Sequence, residues 1–276
     1  MLFLLRAMAL FPLCLLQVIG WGLGWLSFLL SPAYRRRFLD HAALGACTPG
    51  QVLAAVGHAG RMVAELPRLW LGRPLPFRWD GVEHIQAAYA RGQGIVFLTP
   101  HMGCFEVSPQ ALVQDFSRDH GPMTILYRPA RQPWLARVMA SVRERPGLQA
   151  APTTLSGVRQ LLKALRQGQA VGLLPDQVPP EGMGIWSPFF GRPAYTMTLA
   201  VRLVQQTGAS VLLAWVERLS WGRGFVVHVR EMARPLASDM AQAVAQINAE
   251  MEGLVRACPQ QYLWGYARYK QPRGEA

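Results

Sequence analysis

The chain has 276 residues, of which 51% are hydrophobic and only 16% are charged, a balance that excludes intrinsic disorder. This length suits one large α/β domain or two small ones. Basic residues outnumber acidic ones by 28 to 16, so the net charge is +12 and we expect an anionic partner: nucleic acid, an acidic membrane surface, or a phosphorylated or acidic carrier substrate.

The N-terminal segment predicts a membrane anchor. No charged residue occurs between Arg6 and Arg35, and this run is long enough, as a helix, to cross roughly 30 Å of hydrocarbon. The basic triplet at 35–37 exceeds the single Arg6, so the positive-inside bias places the rest of the chain in the cytoplasm. We therefore predict an uncleaved transmembrane or membrane anchor at 1–34 and a cytosolic domain at 35–276.

Four residues of this segment leave its arrangement open. Pro12 and Gln17 are also compatible with a kinked helix that lies in one leaflet. Gly20 and Gly24 form a GxxxG pair, which fits helix dimerisation as well as the general tolerance of membrane helices for glycine. Spanning and in-plane anchoring are both possible readings of the sequence alone.

The remaining chain alternates short apolar runs with stretches of helical periodicity. The predicted strands are 94–100, 124–127, 170–175, 210–215 and 224–229. The predicted helices are 51–71, 103–116, 133–144, 154–167, 194–206 and 238–257, and the predicted loop is 74–78. This alternation predicts a single α/β domain with a mixed, largely parallel central sheet flanked by helices, preceded by the N-terminal membrane helix.

The first strand–helix junction of the sheet carries a histidine and a glutamate, His101 and Glu106. Active-site residues of α/β sheets gather at the carboxyl ends of strands, where His101 is expected to lie. If both residues were in one continuous helix, their side chains would point about 140° apart around the helix axis. The two side chains can therefore meet only if His101 is in the loop and Glu106 is in the first turn of the next helix. The carboxylate would then orient the imidazole as a general base for a substrate hydroxyl. The alternative is a purely structural role for both residues.

Histidine and cysteine spacings predict no metal site. The other histidines form neither HExxH nor H-x3–5-H pairs, and the four cysteines include no CxxC. We therefore expect free thiols in a reduced, cytosol-facing chain. The sequence contains no recognised nucleic-acid-binding module, so nucleic acid is not the expected partner.

Four blocks, in chain order, carry a resemblance to a known family. They are His101–Glu106 (H-x4-[DE]), Tyr127–Pro129 (YRP), Pro175–Gln177 with Pro188–Ala194 (DQ and FFG-x-P-A), and Gln261–Lys270 (QY-x-W-x3-R-[FY]-K). With the N-terminal anchor, they resemble the bacterial late acyltransferases of lipid A biosynthesis, the lauroyl and myristoyl transferases of the wider lysophospholipid and glycerol-3-phosphate acyltransferase group. The resemblance covers nearly the whole chain.

The resemblance implies acyl transfer from an acyl carrier protein or acyl-CoA thioester to a hydroxyl of a lipid A precursor, at the cytoplasmic face of the inner membrane. It implies no cofactor beyond this co-substrate. His101 would take the proton of the acceptor hydroxyl, and Glu106 would orient and stabilise the imidazolium. The implied partners are acyl carrier protein, an anionic lipid acceptor and the membrane, which accounts for the positive net charge.

Further site residues follow from the same resemblance. Arg128 is expected to bind an acceptor phosphate or the developing oxyanion, and Asp176 to hold Arg128 or to align the site. A structural salt bridge between these two residues is the alternative. The other residues expected to bind substrate are Arg159, Gln177, Phe190, Gly191 and Arg192, with packing as the alternative for the phenylalanine.

Three other classes of function compete with this one. A lysophospholipid or glycerolipid acyltransferase would use the same histidine–glutamate pair on a smaller acceptor. A non-catalytic, membrane-anchored basic binding protein would need the charge but not the pair. A hydrolase is disfavoured because the sequence has no G-x-S-x-G nucleophile elbow.

Overall fold

The chain alternates helices and strands throughout the part that the structure describes. The computed structural model describes residues 2–127 and 146–274. The strands are β1 (Phe77–Asp80), β2 (Ile95–Leu98), β3 (Met123–Tyr127), β4 (Leu148–Pro152), β5 (Ala170–Leu173), β6 (Gly184–Phe189), β7 (Arg192–Met197), β8 (Ser210–Arg218) and β9 (Phe225–Glu231). The helices are α1 (Leu2–Ala9), α2 (Leu13–Leu30), α3 (Pro32–Leu44), α4 (Pro49–Ala64), α5 (Leu66–Leu71), α6 (Val82–Ala90), α7 (Val107–His120), α8 (Leu155–Arg166), α9 (Leu199–Thr207) and α10 (Met240–Ala257).

Within the described ranges, seven strands form one sheet in the order β1-β9-β8-β2-β5-β3-β4. Strands β8, β2, β5, β3 and β4 run parallel to one another, whereas β9 pairs antiparallel with β8 and parallel with β1. Strands β6 and β7 form a separate antiparallel hairpin. Buried apolar residues form a cluster on each face of the sheet. The predicted mixed, largely parallel sheet flanked by helices is therefore confirmed.

The two central strands place their carboxyl ends at one edge of the sheet. Every residue of β2 and of β5 is buried, as expected for parallel strands covered on both faces. The two strands pair in register, with Leu98 opposite Leu173. The loops that follow these two leucines therefore leave the sheet side by side.

Among the differences from the predicted elements, two are strands that form where a loop and a helix were predicted. Part of the predicted loop 74–78 belongs to the edge strand β1, which pairs with β9. The predicted helix 194–206 begins as strand β7 and becomes helical only at α9. Pro188 and Pro193 lie opposite each other in the β6–β7 hairpin, and prolines argue against a strand except where, as in a two-stranded hairpin, one side is unpaired. The predicted helix 133–144 lies outside the described residues.

The N-terminal apolar run folds as two helices rather than one. Helix α1 ends at Ala9 and α2 begins at Leu13, because Pro12 has no N–H and cannot continue a helix. By length and composition α2 is able to span a membrane, with a mean hydropathy of 1.8, yet 33% of it is buried against the rest of the structure. The predicted domain boundary after residue 34 falls inside α3.

Glycines bring α2 into backbone contact with α4. A Cβ atom at Gly20 would overlap the Arg61 backbone, and one at Gly24 would overlap the Val56 carbonyl. From the other side, a Cβ atom at Gly60 would overlap the backbone of both glycines of α2. The GxxxG pair, which in sequence fits helix dimerisation, thus contacts a helix of the same chain.

We predict that Gly60→Ala destabilises the fold although alanine favours helices. The added methyl group would meet the backbone of Gly20 and Gly24, and over-packing typically costs about 1–3 kcal/mol in the free energy of unfolding. Gly22→Ala is the matched control, because nothing lies within 4 Å of its Cβ position. The thermal unfolding midpoint, followed by circular dichroism in detergent, should fall by several degrees for Gly60→Ala only. Equal midpoints for the two variants would contradict this packing.

Candidate active site

A histidine–aspartate pair lies at the carboxyl edge of the central strands. Nδ1 of His101 is 2.7 Å from Oδ1 of Asp176, and the backbone N–H of His101 donates to Oδ2 at 2.8 Å. Each residue follows its strand by the same interval, His101 after Leu98 and Asp176 after Leu173, and these two leucines are register partners. The parallel register therefore brings the two side chains together.

The charge on Asp176 selects which nitrogen of the neutral imidazole carries the hydrogen. Burial raises the pKa of Asp176, but the charge and the two hydrogen bonds of His101, with a smaller effect of Arg268, bring the net pKa below its usual value. An ionised carboxylate only accepts hydrogen bonds, so Nδ1 carries the hydrogen and Nε2 is the basic nitrogen of the neutral ring. The side chain of His101 is 17% exposed, against 2% for Asp176. The pair is therefore arranged to take a proton from a group that reaches Nε2.

Asp176, and not Glu106, makes the contact with Nδ1 of His101. As expected, His101 is in the loop and Glu106 stands at the start of α7. However, the contact with the imidazole that was expected from Glu106 is made, at Nδ1, by Asp176. Glu106 instead accepts a hydrogen bond from the indole of Trp70 at 3.3 Å. Strand register, and not the five-residue spacing, selects the partner of Nδ1, and the catalytic role of Glu106 stays a prediction.

A cleft opens next to this pair. About 480 Å³ of empty space, part of it open to solvent, lies between β2, β3, β5 and the start of α7. Its lining is mostly apolar and includes Phe105, Met123 and Ile125, with Glu106 among the polar residues. The ring of Phe105 also contacts the ring of His101, with 5.0 Å between centroids. The cleft thus lies one side chain away from the imidazole and suits an apolar ligand.

Backbone hydrogen bonds from the C-terminal block hold the loop that carries the histidine. The N–H of Leu263 donates to the carbonyl of His101 at 3.1 Å, and the N–H of Gly103 donates to the carbonyl of Gln261 at 2.8 Å. Gly103 has a φ of +58°, and a Cβ atom there would overlap the Val216 carbonyl, so the position favours glycine on both grounds. The loop is therefore fixed against both the C-terminal block and β8.

A buried ion pair also contacts the loop that carries the histidine. Nε of Arg218 donates to both carboxylate oxygens of Glu65, at 2.7 and 2.8 Å, and each side chain is at most 1% exposed. Nη2 of Arg218 donates to the carbonyl of Gly103 at 2.8 Å, and Nη1 lies 3.2 Å from Nδ1 of His58. The amide of Gln17 donates to Glu65 at 3.2 Å. This network connects α2, α4, β8 and the histidine loop.

Comparison with known proteins agrees with the resemblance seen in the sequence. A family model described as bacterial lipid A biosynthesis acyltransferase matches residues 1–271. The chain belongs to this family.

Individual relatives in the same comparison are distant. The chain is 27% identical over 185 residues to the lipid A biosynthesis acyltransferase of Haemophilus influenzae, which covers 67% of this chain and 56% of that protein. It is 25% identical over 283 aligned positions to the lipid A biosynthesis lauroyltransferase of Escherichia coli, covering 95% and 88%. It is 29% identical over 180 residues to a phosphatidylinositol mannoside acyltransferase of Mycobacterium tuberculosis, covering 62% and 55%. The match thus spans little more than half the length of the first and third of these proteins.

Besides Asp176 and the hairpin residues, three residues are expected to bind substrate, and the structure describes two of them. Arg128 lies outside the described residues, so its contact with Asp176 stays a prediction. Arg159 is exposed on α8, and Gln177 is half-buried directly after Asp176. Their expected roles in substrate binding stay predictions.

The hairpin residues of the family block are held by packing and an ion pair. Phe190 and Gly191 form the two-residue turn between β6 and β7, with φ values of +47° and +74°. The ring of Phe190 is 7% exposed and packs on Trp264, with 5.6 Å between centroids. Arg192 donates to both carboxylate oxygens of Asp40, at 2.6 and 3.1 Å. Phe190 is thus packed against the core, and the substrate contacts expected of Phe190, Gly191 and Arg192 stay predictions.

The supporting ion pair was missed by the sequence analysis, although a signal for it is present. Glu65 lies in a helical stretch that is otherwise apolar or basic, and Arg218 ends a mostly apolar strand. A charged side chain in such surroundings is buried only when it has a partner of opposite charge. Two opposite charges of this kind therefore indicate a buried ion pair. The side-chain amide of Gln261 accepts from the N–H of Arg218 at 2.9 Å and donates to its carbonyl at 3.1 Å. This role was missed because a glutamine that binds backbone leaves no pattern in sequence.

We predict that His58 makes the protein less stable as the pH falls below about 6.5. Burial, followed by the charges of Arg218 and Arg61, lowers the pKa of His58 from 6.5 to about 3. Between these values the unfolded chain binds a proton that the folded chain does not, so the free energy of unfolding falls by up to about 1.4 kcal/mol per pH unit.

The variant His58→Asn keeps an acceptor for Arg218 but does not titrate. Between pH 8 and pH 5.5, the thermal midpoint of the unmodified chain should fall further than that of the variant. The reason is that only the unmodified chain loses stability to this proton. Identical pH dependence of the two proteins would rule out a neutral, buried His58.

Proposed function

We propose that the chain is an O-acyltransferase that moves a fatty acyl group from the thioester of acyl carrier protein or coenzyme A to a hydroxyl of a lipid A precursor. Membership of the lipid A biosynthesis acyltransferase family supports the reaction class. The observation that carries the proposal is the His101–Asp176 pair beside an apolar cleft. A base and a site for a fatty chain are the two features that this reaction requires of the protein.

In this proposal His101 is the general base. Asp176 holds Nδ1–H, so Nε2 takes the proton of the acceptor hydroxyl while that oxygen attacks the thioester carbonyl carbon. The new C–O bond forms, the C–S bond breaks, and the imidazolium returns the proton to the departing thiolate. The ionised Asp176 stabilises the imidazolium between these two steps. A base positioned in this way typically contributes about 10²–10⁴-fold to the rate.

The cleft is the proposed site of the acyl chain. Its apolar lining begins at Phe105, beside the base, and extends to Met123 and Ile125 on β3. Glu106 on the cleft wall is proposed to act with the base, and Arg128 to bind an acceptor phosphate or the developing oxyanion. Acyl carrier protein, whose surface is acidic in the implied family, would meet a chain of net charge +12.

We propose that the enzyme acts at the cytoplasmic face of the inner membrane, where an anionic lipid acceptor is found. The apolar helix α2 and the basic triplet that follows it support membrane association. A second candidate acceptor is a phosphatidylinositol mannoside, because a protein named for acylating it is 29% identical over 180 residues. Both candidates are anionic glycolipids, so they place similar demands on the site.

We predict that His101→Ala and Asp176→Asn each lower acyl transfer by roughly 10²–10⁴-fold without loss of the fold. A second histidine–aspartate pair provides matched controls. Nδ1 of His228 on β9 lies 2.7 Å from Oδ2 of Asp80 on the edge strand β1, where Asp80 is 69% exposed. His228→Ala and Asp80→Asn should therefore leave transfer unchanged.

The measurement uses the purified full chain in detergent, acyl carrier protein loaded with a fatty acyl group, and three separate acceptors. These are a lipid A precursor, a phosphatidylinositol mannoside and lysophosphatidic acid, with the products identified by mass spectrometry. Transfer only to lysophosphatidic acid would replace the proposal with a glycerolipid acyltransferase. Release of free fatty acid without any acceptor would indicate a hydrolase, and equal loss in both histidine variants would remove His101 as the base.

We predict that Gly172→Ala shifts the donor preference toward shorter acyl chains. Gly172 lies on the cleft wall, and its added Cβ would meet the end of the Met123 side chain at 2.7 Å, which would move that flexible side chain and reduce the space. Gly50→Ala is the control, because its Cβ position is open. Competition between acyl donors of different length, read by mass spectrometry of the product, checks the shift. An unchanged preference would exclude this cleft as the acyl site.

A further inference from the structure

Helix α2 is attached to the domain along one whole side. Its buried residues recur every three or four positions and so share one face: Leu13, Leu16, Gln17, Gly20, Gly24 and Phe28. This face meets α4, which runs antiparallel to it: Gly24 lies against Val56, and Gly20 against Arg61. The close approach of the two backbones leaves no room for lipid between the helices.

Both ends of α2 contact the catalytic domain. Near its start, the amide of Gln17 donates to Glu65 and to the carbonyl of Leu219, each at 3.2 Å, and accepts from the N–H of Gly222 at 2.9 Å. Near its end, the ring of Phe28 packs against that of Phe38 in α3, with 5.6 Å between centroids. The helix is therefore part of the domain surface and not a rod that leads away from it.

These contacts conflict with a transmembrane position. If α2 crossed the bilayer, its start would lie on the far side, about 27 Å from its end. Leu219 and Gly222, which contact that start, directly follow strand β8 of the central sheet. The ion pair of Glu65 and Arg218 lies beside them. If α2 spanned the membrane, the end of strand β8 and the buried ion pair would therefore lie within the hydrocarbon, where polar backbone and charge are strongly disfavoured.

The opposite side of α2 is apolar and open. We define the lipid face as Leu15, Val18, Leu23, Leu26, Leu29 and Leu30, which are 43% to 73% exposed. Exposed apolar surface of this extent on a helix marks a binding site for lipid or protein. The neighbouring charges favour lipid over protein as the ligand of this face. Arg35 and Arg36 follow in α3, and each basic residue near an anionic leaflet adds to the attraction to the membrane.

We propose that α2 lies in the plane of the cytoplasmic leaflet, with the lipid face immersed in one leaflet and both chain ends on the same side of the bilayer. This rests on the membrane association in the proposed function but not on the reaction. The arrangement also places the active site near lipid, because α4 borders both α2 and the Pro259–Gln261 turn, and Gln261 holds the histidine loop. An acceptor lipid would then reach the site by lateral movement in the leaflet.

Topology reporters test the proposal without any assay of transfer. Green fluorescent protein, which fluoresces in the cytoplasm, and alkaline phosphatase, which is active in the periplasm, are each fused to the N-terminus and to the C-terminus of the full chain. The proposal predicts fluorescence and no phosphatase activity at both ends. Phosphatase activity at the N-terminus alone would show that α2 spans the membrane and would overturn the proposal.

Vesicle binding tests the lipid face directly. The double variant Leu23→Glu with Leu26→Glu should lower binding to vesicles of phosphatidylethanolamine and phosphatidylglycerol by roughly tenfold or more, with an unchanged thermal midpoint, since both side chains are exposed. Leu155→Glu with Met183→Glu, at positions that are 75% and 51% exposed elsewhere, is the matched control and should bind as the unmodified chain does. Unchanged binding of the first variant, or conversion of a dimer to a monomer that still binds vesicles, would assign the face to another occupant and overturn the proposal.

Discussion

The buried ion pair of Glu65 and Arg218 is the constraint on which the rest of the structure depends. Its charges are almost fully desolvated, so they are tolerated only because they pair with each other and hydrogen-bond to fixed groups around them. The partners come from α2, from α4, from the strand end of β8 and from the carbonyl of Gly103. One interaction therefore joins the N-terminal helices, the central sheet and the loop of His101. Loss of either charge would leave the other buried and unpaired, so all three parts respond together.

The position of His101 follows from this framework before any substrate binds. The parallel register of β2 and β5 sets its distance from Asp176, and Gln261 and Leu263 hold the loop from the C-terminal side. A base whose ring and tautomer are already fixed needs no rearrangement to accept a proton, and such preorganisation is a large part of what a catalytic site contributes. The far C-terminal block and the histidine motif are distant in sequence, yet physically they form one unit.

The sheet was largely predictable from sequence, whereas the partner of the histidine was not. Strands β2 and β5 are buried apolar runs between glycine and proline, and such runs are visible without any knowledge of their neighbours. The contact of His101 with Asp176 depends on which strands are adjacent and in what register, which is a non-local property. The five-residue spacing pointed to Glu106, which is near in the chain, whereas the contact of Nδ1 with Asp176 leaves no spacing that a sequence reader could recognise. The β6–β7 hairpin was missed for a related reason, since its prolines are acceptable only in the pairing that it adopts.

The same distinction between local pattern and tertiary contact governs the N-terminal helix. Hydropathy counts the side chains of α2 alone, and by that measure the helix is able to cross a bilayer. Two features argue otherwise once the neighbouring helix is known: glycines that fit the backbone of α4, and a glutamine whose amide completes a buried ion-pair network. A helix that only had to cross lipid would gain nothing from a buried glutamine, because lipid offers no partner for its amide. In the in-plane position that we propose for α2, the small and polar residues serve the protein side and the leucines serve the lipid side. The sequence of α2 thus combines a membrane-facing pattern with a packing pattern, and the structure is needed to separate them.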